Sequence, residues 1–135
     1  MARILALDYG VKRTGIAVTD DFQIIASGLA TISTKELIPY LENYFKTEKV
    51  ELVLVGEPKQ MDNTASNNEV PIQEFLKKFQ EKFPTMEMKR VDERFTSKMA
   101  VRTMIDSGLK KKKRQNKALL DEISATIILQ SYLYK

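Results

Sequence analysis

The sequence predicts an α/β fold: a five-stranded mixed sheet, three antiparallel strands followed by two parallel crossovers, flanked by helices. Three observations predict it. Short runs rich in Ile, Val, Ala and Leu open the chain, separated by Gly and Asp turn residues. After residue 33, segments of helical periodicity alternate with single strands. A strand–helix–strand step then makes its two strands parallel.

The first strand spans about Arg3 to Asp8, the second about Gly15 to Thr19 and the third about Gln23 to Thr31. Links this short imply an antiparallel meander. Ser33-Thr34-Lys35-Glu36 has the spacing of a capping box, and Leu37, Leu41, Tyr44 and Phe45 recur on one face, so a helix is expected to about Thr47, with Pro39 making its first turns irregular. Glu51 to Val55 reads as the fourth strand, closed by Gly56-Glu57-Pro58 and followed by a polar loop from Lys59 to Asn68. Ile72, Phe75, Phe79 and Phe83 form a helical stripe, which is core packing and not a base-stacking platform. Met86 to Val91 is the fifth strand, ending at Asp92-Glu93-Arg94. Thr96 can cap a helix to about Ser107 with Gly108 as its stop, and Ala100, Val101 and Met104 give it an apolar face. After the like-charge loop Lys110 to Arg114, Asn116 caps a last helix to about Leu133, with Leu119, Leu120, Ile123 and Ile127 facing inward.

This order has a geometric consequence. The fourth and fifth strands run together, and the natural closure places them beside the first in the same direction. Ligands of such sheets gather at the carboxyl ends of parallel strands. Asp8, Glu57 and the Asp92-Glu93 pair are all expected at that one edge.

The 135 residues, 43% of them hydrophobic, suit a single domain over residues 1–135 with one core. No apolar stretch is long enough to span a bilayer and the chain opens on a strand pattern, so a cytoplasmic protein without membrane contact is expected. Cys and His are both absent, which excludes disulfides, thiolate or imidazole metal sites and His-based catalysis. Chemistry must then rest on carboxylates, Lys, Arg, hydroxyls and a bound metal, and oxygen ligands favour Mg²⁺ or Mn²⁺. The net charge of +4 hides an asymmetry: between Lys89 and Lys117 stand 11 Lys/Arg against 3 acids, so that stretch carries +8 and the rest −4. A local positive field beside isolated carboxylates points to a polyanion, although a basic run taken alone is more often a solvated face.

Asp8, delivered by an apolar strand into a turn punctuated by Gly10, Arg13 and Gly15, is held as a hard-cation ligand must be, or else caps its own turn. Glu93 and Asp92 alternate in direction, so one of them faces the site; Glu93 is favoured, with Asp92 in reserve. Asp121 is the candidate third acid because the small Ser124 and Ala125 let its helix approach the sheet edge, whereas an Asp near a helix N-terminus also complements the macrodipole. Three or four carboxylates suffice for two metals that activate water and stabilise the leaving oxygen in phosphodiester hydrolysis.

Four segments carry a family resemblance. Ala6 to Asp20 (ALDYGVKRTGIAVTD), Val55-Gly-Glu-Pro58, Val91-Asp-Glu-Arg-Phe-Thr96 and Asp121 to Leu129 (DEISATIIL) together resemble the YqgF/RuvX family of RNase H-like nucleases, in order and over essentially the whole chain. The resemblance implies an RNase H-like fold in which Asp8, Glu93 and Asp121 are catalytic acids holding Mg²⁺ or Mn²⁺. It further implies processing of the 5′ end of precursor 16S rRNA in ribosome biogenesis, or action on branched DNA as a Holliday junction resolvase. Glu57, where an apolar residue is usual, and Asp62-Asn63, in place of Asp-Gly, depart from the family pattern; Asn63 tolerates the left-handed turn.

The leading expectation is a Mg²⁺-dependent endonuclease in which Lys12, Arg13, Arg94 and the loop Lys110, Lys111, Lys112, Lys113 and Arg114 engage phosphates. Its partners would be precursor rRNA or branched DNA, with ribosomal particles as further candidates, and it would act as a monomer or homodimer. The alternative is a non-catalytic nucleic-acid-binding factor of ribosome assembly, in which the acids are structural caps. An actin- or sugar-kinase-like ATPase is disfavoured by the single short domain and the lack of a Walker-type loop.

Overall fold

The computed structural model describes residues 2–57, 69–92 and 117–133. They form β1 (Arg3–Asp8), β2 (Arg13–Thr19), β3 (Ala26–Ser33), α1 (Leu37–Thr47), β4 (Val50–Glu57), α2 (Glu69–Lys82), β5 (Glu87–Asp92) and α3 (Lys117–Leu133). One five-stranded sheet runs in the order β3-β2-β1-β4-β5. The β1–β2 and β2–β3 pairs are antiparallel, and β1–β4 and β4–β5 are parallel, as the sequence predicts.

The central position of β1 explains its unbroken apolar run, because a strand covered on both faces has no polar side to alternate with. Ile4, Leu5, Ala6 and Leu7 are all buried. Alternation sends them to two separate cores. Leu5 and Leu7 join Ile16, Val18, Val53 and Val55 under α1 and α2, which contribute Leu37, Leu41, Ile72, Phe75, Leu76 and Phe79. Phe83, just beyond α2, packs on the same cluster, so the predicted aromatic stripe is core. Ile4 and Ala6 join Ala17, Leu52 and Leu54 under α3, which contributes Ala125, Ile128 and Leu129. Fully burying each Leu or Ile on the first face stabilises the fold by roughly 1.5–3 kcal/mol relative to exposure. The α3 face instead uses small residues, and they bring the helix axis close to the sheet.

Three local expectations are corrected. The third strand begins at Ala26, not Gln23, and runs on to Ser33. Gln23 has φ 60°, and the Asp20 carboxylate accepts bonds from the backbone N–H groups of Phe22, Ile24 and Ile25, so residues 20–25 are a side-chain-closed turn. The capping box is not made: Ser33 gives no side-chain cap, residues 34–36 form a single 3-10 turn, and the α-helix starts at Leu37. That later start places Pro39 in the first turn, where its missing N–H costs nothing. Among the described side chains of α3 those facing the sheet are Ala125, Ile128 and Leu129; Ile127 is buried as expected and Ile123 is only half-buried, while the side chains of Leu119 and Leu120 lie outside the described part.

The predicted loop Lys59–Asn68 and the helix from Thr96 to Ser107 lie outside the described residues, as do Glu93, Arg94 and the basic run Lys110–Arg114. No helix among the described residues is long and apolar enough to cross a membrane.

Candidate active site at the carboxyl edge of the sheet

Because β1, β4 and β5 are parallel, their last residues, Asp8, Glu57 and Asp92, share one edge of the sheet. Strand parity then divides them. Asp8 follows Ile4 and Ala6, which pack against α3, so alternation directs its side chain to the α3 face. Glu57 follows Val53 and Val55, which pack under α1 and α2, so it belongs to the opposite face and not with Asp8.

Asp121 reaches Asp8 through a glycine. In the β1–β2 register Asp8 stands opposite Gly15. A Cβ built on Gly15 would collide with the Asp121 carbonyl oxygen and lie 2.9 Å from the Glu122 amide nitrogen. The first described turns of α3 therefore rest directly on the β2 backbone, one strand from Asp8. Any side chain at position 15 would hold the helix off the sheet and carry Asp121 away. The sequence reading treats Gly15 only as turn punctuation; a glycine inside a strand is itself the sign of close backbone approach.

Arg13 lies two residues before Gly15 and has the same parity. Its Nε donates to Asp121 Oδ2 at 2.5 Å, with the Arg13 and Asp121 side chains 39% and 24% exposed. The guanidinium thus sits beside a proposed metal-binding acid. Lys12, next to it, is exposed at the turn.

Thr34 fastens this turn, and sequence reasoning missed it because the tie is tertiary. Its hydroxyl donates to the Gly10 carbonyl at 2.6 Å and lies 3.0 Å from the buried Thr14 hydroxyl, while its backbone N–H donates to the Lys12 carbonyl at 3.1 Å. On β5, Lys89 and Val91 face α3, with the Lys89 ammonium 5.6 Å from the centre of the Tyr132 ring. Arg90 has the other parity and donates to the carbonyls of Val55 and Gly56, tying β5 to the end of β4.

Of the proposed acids, Asp8 and Asp121 are related through Gly15, which pairs with Asp8 and meets the Asp121 backbone; Glu93 lies outside the described residues. Among the described residues no group of three or more acids is close enough to hold a metal ion. The donors that are present, two carboxylates with no imidazole or thiolate nearby, fit a hard cation.

The model of the RuvX family, described as a Holliday junction resolvase, matches residues 2–135. A protein of Christiangramia forsetii is 73% identical over 135 residues, covering 100% of both chains. One from Flavobacterium psychrophilum is 65% identical over 133 residues, 98% of this chain and 97% of the other, and one from Bacteroides fragilis 59% over 133 residues, 98% and 96%. All three bear the provisional name pre-16S rRNA nuclease. Among solved structures, the Holliday junction resolvase of fowlpox virus superposes with a TM-score of 0.56 at 18% identity, covering 97% of each chain, which places this sheet and its helices in the RNase H-like fold.

Proposed function

The chain belongs to the RuvX family and is a nuclease, and from that premise we propose that it is a Mg²⁺- or Mn²⁺-dependent endonuclease that processes the 5′ end of precursor 16S rRNA in the cytoplasm. The observation that carries the site is the placement of Asp8 and Asp121 on one face of the sheet edge, with only the backbone of Gly15 between their elements. Relatives of 59–73% identity over nearly the whole chain support rRNA as substrate. Branched DNA is the second reading, favoured by the description of the family model.

Asp8, Asp121 and Glu93 would hold the metal. Glu93 is kept over Asp92 from residue order, since it stands two positions after Val91, which packs on the α3 face. The metal, when bound, would activate the attacking water and offset charge on the leaving oxygen. The chain's own residues supply the rest. Asp8 is held by a strand buried on both faces, so its position needs no reorganisation. Arg13 fixes the Asp121 carboxylate and lowers the net negative charge that a phosphodiester meets on approach. Lys12, Arg94 and the Lys110–Arg114 run would contact flanking phosphates, giving binding that is salt-dependent and insensitive to sequence. Ribosomal particles are candidate partners because precursor 16S rRNA is assembled into them, and the protein would act as a monomer or homodimer.

The test is cleavage of labelled precursor rRNA, four-way junction DNA and linear strands by wild type and Asp8→Asn, in Mg²⁺, Mn²⁺ or EDTA. Metal-dependent cutting that disappears in the variant, with rRNA preferred, is the expected result. Preference for the junction would favour the second reading. Binding without cutting in any metal would instead identify a non-catalytic assembly factor.

A further inference from the structure

Asp8 and Tyr9 are neighbours in sequence but serve opposite sides of the sheet rim. Asp8 has the parity of the α3 face, whereas Tyr9 packs on Phe75 of α2, with ring centroids 5.0 Å apart and planes inclined by 31°. Tyr9 and Phe75 line an open cleft of about 580 Å³ at the N-terminal ends of α1 and α2. Thr34, Lys35, Glu74 and Lys78 complete its polar border among the described residues. The cleft lies outside the carboxyl end of β1, where α/β sheets take their ligands.

We propose that this cleft is a nucleobase subsite, taking the base of a nucleotide adjacent to the phosphodiester held at Asp8. The inference rests on the nuclease reading and adds to it the place where a neighbouring nucleotide is gripped. Every base has a π face, so the half-buried ring of Tyr9, backed by the buried core residue Phe75, suits it. Lys35 and Lys78 match the flanking phosphate in sign, and Glu74 can accept from base N–H groups. A cleft of this volume is within the ordinary range for small-molecule sites. A strand crossing the rim would set a phosphate on the Asp8 side and drop the next base on the Tyr9 side. The same Thr34 that ties down the Gly10–Lys12 turn also borders the cleft, so the two halves of the site share one rigid support.

Amide NMR of the full chain, titrated with guanosine and cytidine 5′-monophosphates and with ribose 5-phosphate, tests the inference. The nucleotides should shift the Val11, Lys35, Glu74 and Lys78 amides saturably, ribose 5-phosphate should not, and Lys78→Glu should weaken binding roughly fivefold. In cleavage assays that variant should raise KM by a similar factor. Equal shifts from ribose 5-phosphate, or no shift at these amides, would overturn the subsite even if wild type cuts RNA and Asp8→Asn does not. If no substrate is cut in any metal, the nuclease reading fails and the subsite fails with it, whether or not nucleotides bind in the cleft.

Discussion

Arg13 Nε lies 2.5 Å from Asp121 Oδ2, joining the first residue of β2 to a residue of α3 that stands 108 positions further along the chain. The pair closes the candidate site from the α3 side. Because both partners are partly exposed, its contribution to stability is modest, about 0.5–1 kcal/mol. Arg13→Ala leaves the acids unshielded, so the Mg²⁺ concentration giving half-maximal cleavage should fall while the turnover rate drops at least tenfold. A Mg²⁺ titration of wild type and variant checks both.

Gly15→Ala is the sharper probe. The added methyl would occupy the space of the Asp121 backbone carbonyl, and backbone at both points leaves little room to relax. Overpacking of this kind costs typically 1–3 kcal/mol. Urea unfolding should show that loss, and metal-dependent cleavage should fall further than stability predicts, because α3 carries Asp121 with it. Wild-type activity in a folded Gly15→Ala protein would show that the distance between α3 and β2 is not critical.

Thr34→Val removes a hydroxyl that bonds Gly10 and approaches the buried Thr14 hydroxyl. Loss of these bonds should destabilise the protein by about 1–3 kcal/mol. Thr34→Ser keeps the hydroxyl and should restore most of the stability. Comparing the two by urea denaturation separates the hydrogen bonds from the packing of the methyl group.

Asp20 predicts part of the acid sensitivity. Its carboxyl pKa is lowered, first by the Ile25 N–H and further by those of Ile24 and Phe22. A carboxyl depressed in the folded state adds stability above its unfolded value, about 3.9, and loses it as pH falls through the folded value. The wild type should therefore lose stability more steeply than Asp20→Asn below about pH 4. Urea midpoints from pH 6 down to pH 3 test this.

Salt dependence tests the basic segment. If Lys110–Arg114 contacts phosphates, replacing Lys110, Lys111, Lys112 and Lys113 by Ala should flatten the slope of log affinity against log salt by roughly 0.7–0.9 for each lost contact. Filter binding of an RNA fragment between low and physiological salt reads the slope. An unchanged slope would leave the run as a solvated surface.

The strands are legible because their apolar runs are local properties, and strand order alone puts Asp8 at the carboxyl edge of the sheet. Strand parity separates Glu57 from Asp8 through Val53 and Val55, a conclusion already available from residue order once β4 is recognised. The β2–β3 turn was not legible in that way. Phe22, Ile24 and Ile25 have strand-like chemistry yet are each more than 60% exposed, because three N–H bonds to Asp20 fix the backbone in a turn. Thr34 resembles part of a capping box and spends its hydroxyl elsewhere. The contact of Gly15 with Asp121 leaves no trace in local periodicity, since it depends on two elements separated by most of the chain.

That separation matters during synthesis. A chain emerging from the ribosome presents Asp8, Arg13 and Gly15 long before Asp121, and domains form as their parts become available. The β1–β2 hairpin can be made early, but its acidic site lacks one wall until α3 arrives. If Asp121 holds the metal as proposed, a nuclease born beside ribosomal RNA stays unarmed during its own translation and becomes competent when α3 docks.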